Sequence, residues 1–216
     1  MPRIVAVAAA GVALLTASAT TSCTRYVEDA QVVPAPDLGR APAAAAADCT
    51  SVEAPLTTIP TATGEPVMKI PQPKGWKRST MMDSELIRFM MGNRDLTQDN
   101  FAPTAVVTLE SDRGITEADE VFDAERHSLQ SGFGATDLEV TKHTLCGLPA
   151  ETIHYMTPAM GTVGPHPAVV VCVVLHTEDA TYAASVTVQT TDPQNRIFKT
   201  DAEQILTGFQ MLPPAD

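Results

Sequence analysis

The side chains that could do chemistry are four cysteines (Cys23, Cys49, Cys146, Cys172), five histidines (His127, His143, His154, His166, His176) and a cluster of methionines. No cysteine pair has the C-x-x-C spacing of a redox or zinc site, and no histidine has another at i+4. The nucleophile elbow G-x-S-x-G, the zinc helix H-E-x-x-H, a Gly-rich phosphate loop and a dinucleotide fingerprint are all missing from the sequence. His176 precedes Glu178 and Asp179, but a polar hairpin turn uses such residues in any case. His154 lies between Ile153 and Tyr155 on strand-like sequence, where a hydrogen-bonded sheet histidine is the default reading. The chain therefore reads as non-catalytic, with neither a cofactor nor a metal. A secreted esterase-like enzyme is the second alternative, because a Ser-His-Asp triad assembles from distant positions.

The cysteines depend on the amino terminus. After Arg3, Ile4 to Leu15 is an uncharged apolar run, the length of a signal-peptide core and too short to span a bilayer. Thr20-Thr21-Ser22-Cys23 looks like a lipobox, with Thr20 where leucine is usual, so the chain reads as a lipoprotein: signal peptide 1–22, then an acylated (palmitate-type) Cys23. The competing route cuts after Ala17-Ser18-Ala19 and releases a soluble secreted protein. With Cys23 lipidated, three cysteines remain for an oxidising compartment. The expected bridge is Cys49–Cys146, with Cys172, in the apolar run Val169–Leu175, a buried thiol; a Cys146–Cys172 bridge between neighbouring strands is the alternative.

Residues 23–66 hold six prolines and the run Ala43–Ala47 without sustained periodicity, which predicts a lipidated, Pro/Ala-rich tether. Residues 67–216 then form one globular domain. Thr104–Glu110 is rich in β-branched residues, Ala180–Thr190 alternates apolar and polar positions, and Pro167–His176 is nearly all apolar, as a central strand would be. Val67–Ile70, Leu86–Met91, Leu138–Leu145 and Ala150–Thr157 complete an antiparallel set. One helix is predicted from a capping box at Thr116–Asp119, with Ile115, Ala118, Phe122, Leu129 and Phe133 on one stripe ending at Gly132 and Gly134. A second follows Asp192-Pro193, with Ile197, Phe198, Ala202, Ile205 and Leu206 facing inward and Phe209 continuing past Gly208. The predicted class is α+β: an antiparallel central sheet of six or seven strands with two packed helices.

Met81, Met82, Met90, Met91, Met156 and Met160 gather near the single tryptophan, Trp76, and the loop 158–165. Methionine fills irregular cores, and the same softness suits a surface that accepts variable apolar ligands. The second use would give an apolar groove lined by Trp76, Met91, Tyr155 and Met156, fit for an acyl chain or a partner's hydrophobic anchor. Charge narrows the partners: 14 basic against 26 acidic side chains give a net charge of -12, which disfavours nucleic acid. Beside a membrane, a globule so acidic should lean away from anionic headgroups, held by its lipid rather than by charge.

These features together resemble the LpqN/LpqT family of mycobacterial envelope lipoproteins. The likeness rests on Ser22-Cys23, the Pro-rich tether, Ile70-Pro71-Gln72-Pro73-Lys74-Gly75-Trp76 (similar to the family's I-P-x-P-x-x-W), Gly147-Leu148-Pro149-Ala150 and the closing Ile205-Leu206-Thr207-Gly208-Phe209. The cysteines at 49, 146 and 172 and the tether depart from the family pattern, as in a divergent branch. The resemblance implies a PsbP-like α/β/α sandwich and a non-enzymatic accessory role. The protein would sit lipid-anchored and monomeric on the outer face of the cell membrane, binding a mycolate- or acyl-type envelope lipid or an envelope transport partner. A surface-exposed protein engaging another protein or a host factor, with no small ligand, is the alternative.

Overall fold

The computed structural model describes residues 48–114 and 116–215. The signal segment, both cleavage sites, Cys23, most of the tether and Ile115 lie outside the described residues. Ten strands and two α-helices follow in the order β1 (Leu56–Ile59), β2 (Val67–Pro71), β3 (Lys77–Ser79), β4 (Ile87–Gly92), β5 (Thr104–Arg113), α1 (Ala118–His127), β6 (Thr136–Leu145), β7 (Leu148–Met156), β8 (Pro167–His176), β9 (Ala180–Gln189), α2 (Arg196–Thr207) and β10 (Gln210–Leu212). Seven strands pair antiparallel in the order β3-β4-β5-β9-β8-β7-β6, and β1-β2-β10 form a smaller sheet. The fold is α+β, with an open sheet rather than a barrel.

Strand alternation divides the large sheet into two faces. Ala105, Val107 and Leu109 of β5, Val171, Val173 and Leu175 of β8 and Ala184, Val186 and Val188 of β9 point to one side, where they join Phe198 and Ile205 of α2, Met68 and Ile70 of β2 and Met211 of β10 in the main core. The intervening residues point to the other side, which α1 covers in part: Phe122 packs on Cys172 and Val174, and Ile153, Tyr155, Ala168 and Val170 form a separate cluster.

Three elements differ from the sequence expectation. The domain begins well before residue 67, because β1 pairs with β2 from Leu56↔Pro71 to Ile59↔Met68. Phe209 does not extend α2. Gly208 ends the helix where a β-carbon would meet Pro71 and Val52 at 2.7 Å and the Gln204 carbonyl at 2.9 Å, and the chain continues as β10. Ile197, placed on the inner stripe by spacing, is instead 59% exposed, and the inward positions go to Phe198, Asp201 and Ile205.

The predicted capping box does not form. Glu117 is the N-cap of α1 and makes no side-chain cap, while the Thr116 N–H donates to Thr181 Oγ1 at 2.9 Å. After α1 the chain runs through a π-helical turn, Ser128–Phe133, that Gly134 closes in the left-handed region. In α2, Asn195 Oδ1 accepts from the Ile197 and Phe198 N–H groups at 3.0 and 3.2 Å, a regular N-cap. The Trp76 indole donates to Asp201 Oδ2 at 2.8 Å, which fixes α2 to the lead-in of β3.

The disulfide joins Cys49 to Cys146, and Cys172 is a buried free thiol. Cys146 and Gly147 are the two loop residues between Leu145 and Leu148, and both take positive φ (52° and 77°), the turn that matches the twist of a hairpin. The bridge therefore ties residues 48–55 to the tip of the β6–β7 hairpin, beside the end of α2. There the Ala54 N–H donates to Gln204 Oε1 at 2.8 Å.

Candidate functional site

The four residues expected to line an apolar groove are not brought together. Trp76 and Met91 are buried in the main core on the α2 side of the sheet, while Tyr155 belongs to the cluster on the α1 side. Met156, next to Tyr155 on β7, alternates to the opposite face, half-buried. Trp76, Met91 and Tyr155 are therefore core residues: the sheet itself stands between Met91 and Tyr155, and no common groove exists among these side chains.

The structure has instead a cleft of about 410 Å³ between α1 and the uncovered part of the sheet. Its floor is Thr108 and Glu110 of β5, Thr181, Ala183 and Ser185 of β9 and Cys172 of β8; its wall is Glu120, Val121, Ala124 and Glu125 of α1 and Ser128 of the π-helical turn that follows. Amphipathicity of α1 makes this arrangement. Phe122 is the helix residue driven fully into the sheet, Val121 packs at the edge of the same cluster, and the flank carrying Ala124 and Glu125 overhangs β5 and β9, with Glu125 reaching down to Ser185.

Charge in the cleft is one-sided: Glu110, Asp112, Glu120 and Glu125 line it and no basic side chain does. Arg126, the nearest cation on α1, is turned to Glu151, a fully buried β7 carboxylate, and to Asp123. Burial pushes the Glu125 carboxyl above the usual range, and the like charge of Glu110 adds to it, while the hydrogen bond with Ser185 pulls the other way. Burial, reinforced by the Glu125 charge, pushes the Cys172 thiol up to about 12. A thiol so raised is a poor nucleophile, so Cys172 serves as a small apolar floor residue.

Folding stability should report the strained carboxylate. Between the ordinary glutamate value and the raised one in the folded chain, the folded state binds more protons than the unfolded state, so stability falls as pH rises through that window. Glu125→Gln is therefore expected to raise the urea midpoint near neutral pH, with the gain shrinking towards zero at about pH 4. An unchanged midpoint at neutral pH would mean that cleft water already solvates the charge.

Sequence reasoning missed this cleft, though it had one signal of it. The alternation in Ala180–Thr190 puts Thr181 and Ser185 at polar positions, on the face that alternation predicts to be the wetter one, yet Ser185 is only 8% exposed and Thr181 2%. A polar face that is also buried is the mark of a lined cleft. Among the described residues no group of three or more His, Cys, Asp or Glu side chains is placed to hold a metal ion, and no helix is long and apolar enough to cross a membrane.

Comparison with known proteins agrees with the architecture. No curated protein matches the chain. A crystal structure described as LpqN involved in cell envelope biogenesis of Mycobacterium tuberculosis is similar in fold, with a TM-score of 0.59 and 16% sequence identity over 74% of this chain and 91% of that one. Residues 54–212 match the Lpp-LpqN family, described as "Probable lipoprotein LpqN". The matched span includes β1, which the structure places inside the domain, and ends with β10, so sequence profile and fold outline the same unit: this chain belongs to the LpqN lipoprotein family.

Proposed function

We propose that the protein is an exported, non-catalytic accessory of the cell envelope, held at the membrane by a lipid on Cys23, and that the α1–sheet cleft binds an envelope lipid near its headgroup. The cleft itself carries the reading. Glu110, Glu125 and the Ser185 and Thr108 hydroxyls supply acceptors for a ligand's hydroxyl or ammonium donors, while Val121, Ala124, Ala183 and Cys172 supply an apolar bed for the first part of an alkyl chain. A bare acyl chain fits less well, because it would leave the carboxylates dry and unpaired. The involvement of the similar LpqN structure in envelope biogenesis supports the setting. The absence of cations from the lining favours a second occupant, a lysine or arginine side chain of a transport partner.

Native mass spectrometry of the protein purified from its own membrane tests the reading. A co-purifying lipid mass is expected, and Ala124→Trp, at an exposed position on the cleft wall, should reduce that adduct about tenfold without unfolding the domain. An empty protein that captures one partner, with capture lost in Glu110→Gln/Glu125→Gln, would support the second occupant. Turnover of acyl esters that vanishes on changing one Ser or His would overturn both.

A further inference from the structure

Acids wall three of the protein's clefts. The cleft under α1 has four and no base, the one beside residues 50–53 has Glu53 and Glu203, and the one at the start of α1 has Glu117, Asp119 and Glu120, its lysine, Lys142, being held by Asp119. A cavity of about 440 Å³ at the end of β3, β4 and β5 is built the other way. Lys77 and Arg94 line it and Asp95 is the acid of the lining; the third cation, Arg78, is already bound to both carboxylate oxygens of Asp83 at 2.6 and 2.7 Å.

Strand register explains how the cavity forms. Lys77, Gly92 and Thr104 stand side by side on β3, β4 and β5, and Ser79 and Met90 make the next row on the same face, away from the main core. Gly92 has no side chain, so the first row has a gap two strand spacings wide, about 10 Å from the Lys77 α-carbon to that of Thr104. Buried neighbours set the two cations. Lys77 follows Trp76, 2% exposed, and Arg94 follows Asn93, 3% exposed. Asn93 donates its N–H to the Pro103 carbonyl at 3.1 Å and accepts from the Asp95 N–H at 3.1 Å through Oδ1. It lies so close to Gly75 that a β-carbon there would stand 2.8 Å from the Asn93 amide nitrogen.

The cavity is rich in donors that nothing in the chain uses. Among the described residues the side chains of Lys77, Arg94 and Ser79 have no hydrogen-bond or ion-pair partner. Thr104 Oγ1 accepts from Gln189 Nε2 at 3.1 Å, which leaves its own proton to donate. In a chain with 26 acids against 14 bases, two cations and two hydroxyls left open around one gap call for an anion from outside. A single guanidinium serves a planar carboxylate; donors on several sides of a gap suit a tetrahedral oxyanion. Met90 and Ala102 add apolar surface beside it, fit for the organic part of an ester.

We propose that this cavity binds the phosphate group of a phosphate ester: Lys77 and Arg94 pair with its charge, and the Ser79 and Thr104 hydroxyls donate to its oxygens. The net charge of -12 averages the site away. The proposal is independent of what the α1–sheet cleft holds.

Amide NMR of the mature, unacylated chain tests it, titrated at constant ionic strength with inorganic phosphate, glycerol 3-phosphate and monomeric dihexanoyl-phosphatidylglycerol. Saturable shifts are expected at the Lys77, Gly92, Arg94 and Thr104 amides, with a Kd on the order of 1 mM or tighter. Lys77→Gln/Arg94→Gln, at two exposed positions, should weaken binding about tenfold. Asp95→Asn removes the opposing charge and should tighten it about threefold, a gain that a misfolded variant would not give. Tightest binding of the lipid would assign the site to a headgroup, and tightest binding of glycerol 3-phosphate to a soluble ester; either supports the proposal. Inorganic phosphate binding as tightly as both esters would overturn the ester and leave a bare anion site. Shifts that do not saturate, that sodium chloride reproduces, or that survive unchanged in both variants would overturn the site itself.

Discussion

The double change Cys49→Ser/Cys146→Ser is expected to lower the free energy of unfolding by about 4 kcal/mol, measured by urea denaturation of the oxidised protein and the variant. The bond closes a sequence separation of 97 residues, more than half of the domain, so in the chain-entropy account its removal returns a large freedom to the unfolded chain. What it holds in the folded state is small by comparison. Residues 48–55 also rest on the domain through the Ala54–Gln204 hydrogen bond and the contact of Val52 at Gly208. Hydrogen exchange should therefore show the loss as global destabilisation, with residues 48–55 and the last turn of α2 opening first. Cys172→Ala is the control: it removes a buried thiol that bridges nothing and should cost far less. A double variant within 1 kcal/mol of the parent would mean that the unfolded chain is already compact around this loop.

The same bond marks where sequence reading stopped short. The long strands were legible because their composition leaves no other structure: Pro167–His176 is covered on both faces, Ala180–Gln189 alternates, and both appear with the expected bounds or within one residue of them. The two helices were legible from their stripes. The short elements were not. β1 has four residues inside a proline-rich stretch and owes its existence to pairing with β2 and to the tie at Cys49, neither of which is a local property. β10 was hidden because Phe209 and Met211 continue the apolar content of α2, and only the crowding at Gly208 shows why the helix must end.

The candidate site was less legible still. Met91 and Tyr155 are both apolar residues on strands, and sequence cannot say that their strands present them to opposite faces of one sheet. The cleft that does exist draws Glu110, Glu125, Cys172 and Ser185 from four elements, and each alone looks like an ordinary surface or core residue. What joins them is the overhang of α1, set by Phe122 and by the anchoring of Arg126 at its last turn.

That anchor supports the second large effect. Arg126→Ala is expected to cost about 3–5 kcal/mol, because it strands the carboxylate of Glu151, which is fully buried under α1. The ion pair itself is a weak source of stability, since both charges leave water to make it. Removing one partner is different, because the desolvation of the other then has nothing to offset it. Asp123, the second acid on Arg126, sits in solvent and loses little. Arg126→Ala/Glu151→Gln should therefore recover most of the loss, and Glu151→Gln alone should cost less than Arg126→Ala, because an exposed-edge guanidinium can turn to water where the buried carboxylate cannot. Chemical denaturation of the three variants measures the cycle. If Arg126→Ala and the double variant were equally destabilised, the role of Arg126 would lie in packing its stem beneath α1 rather than in the charge it brings to Glu151.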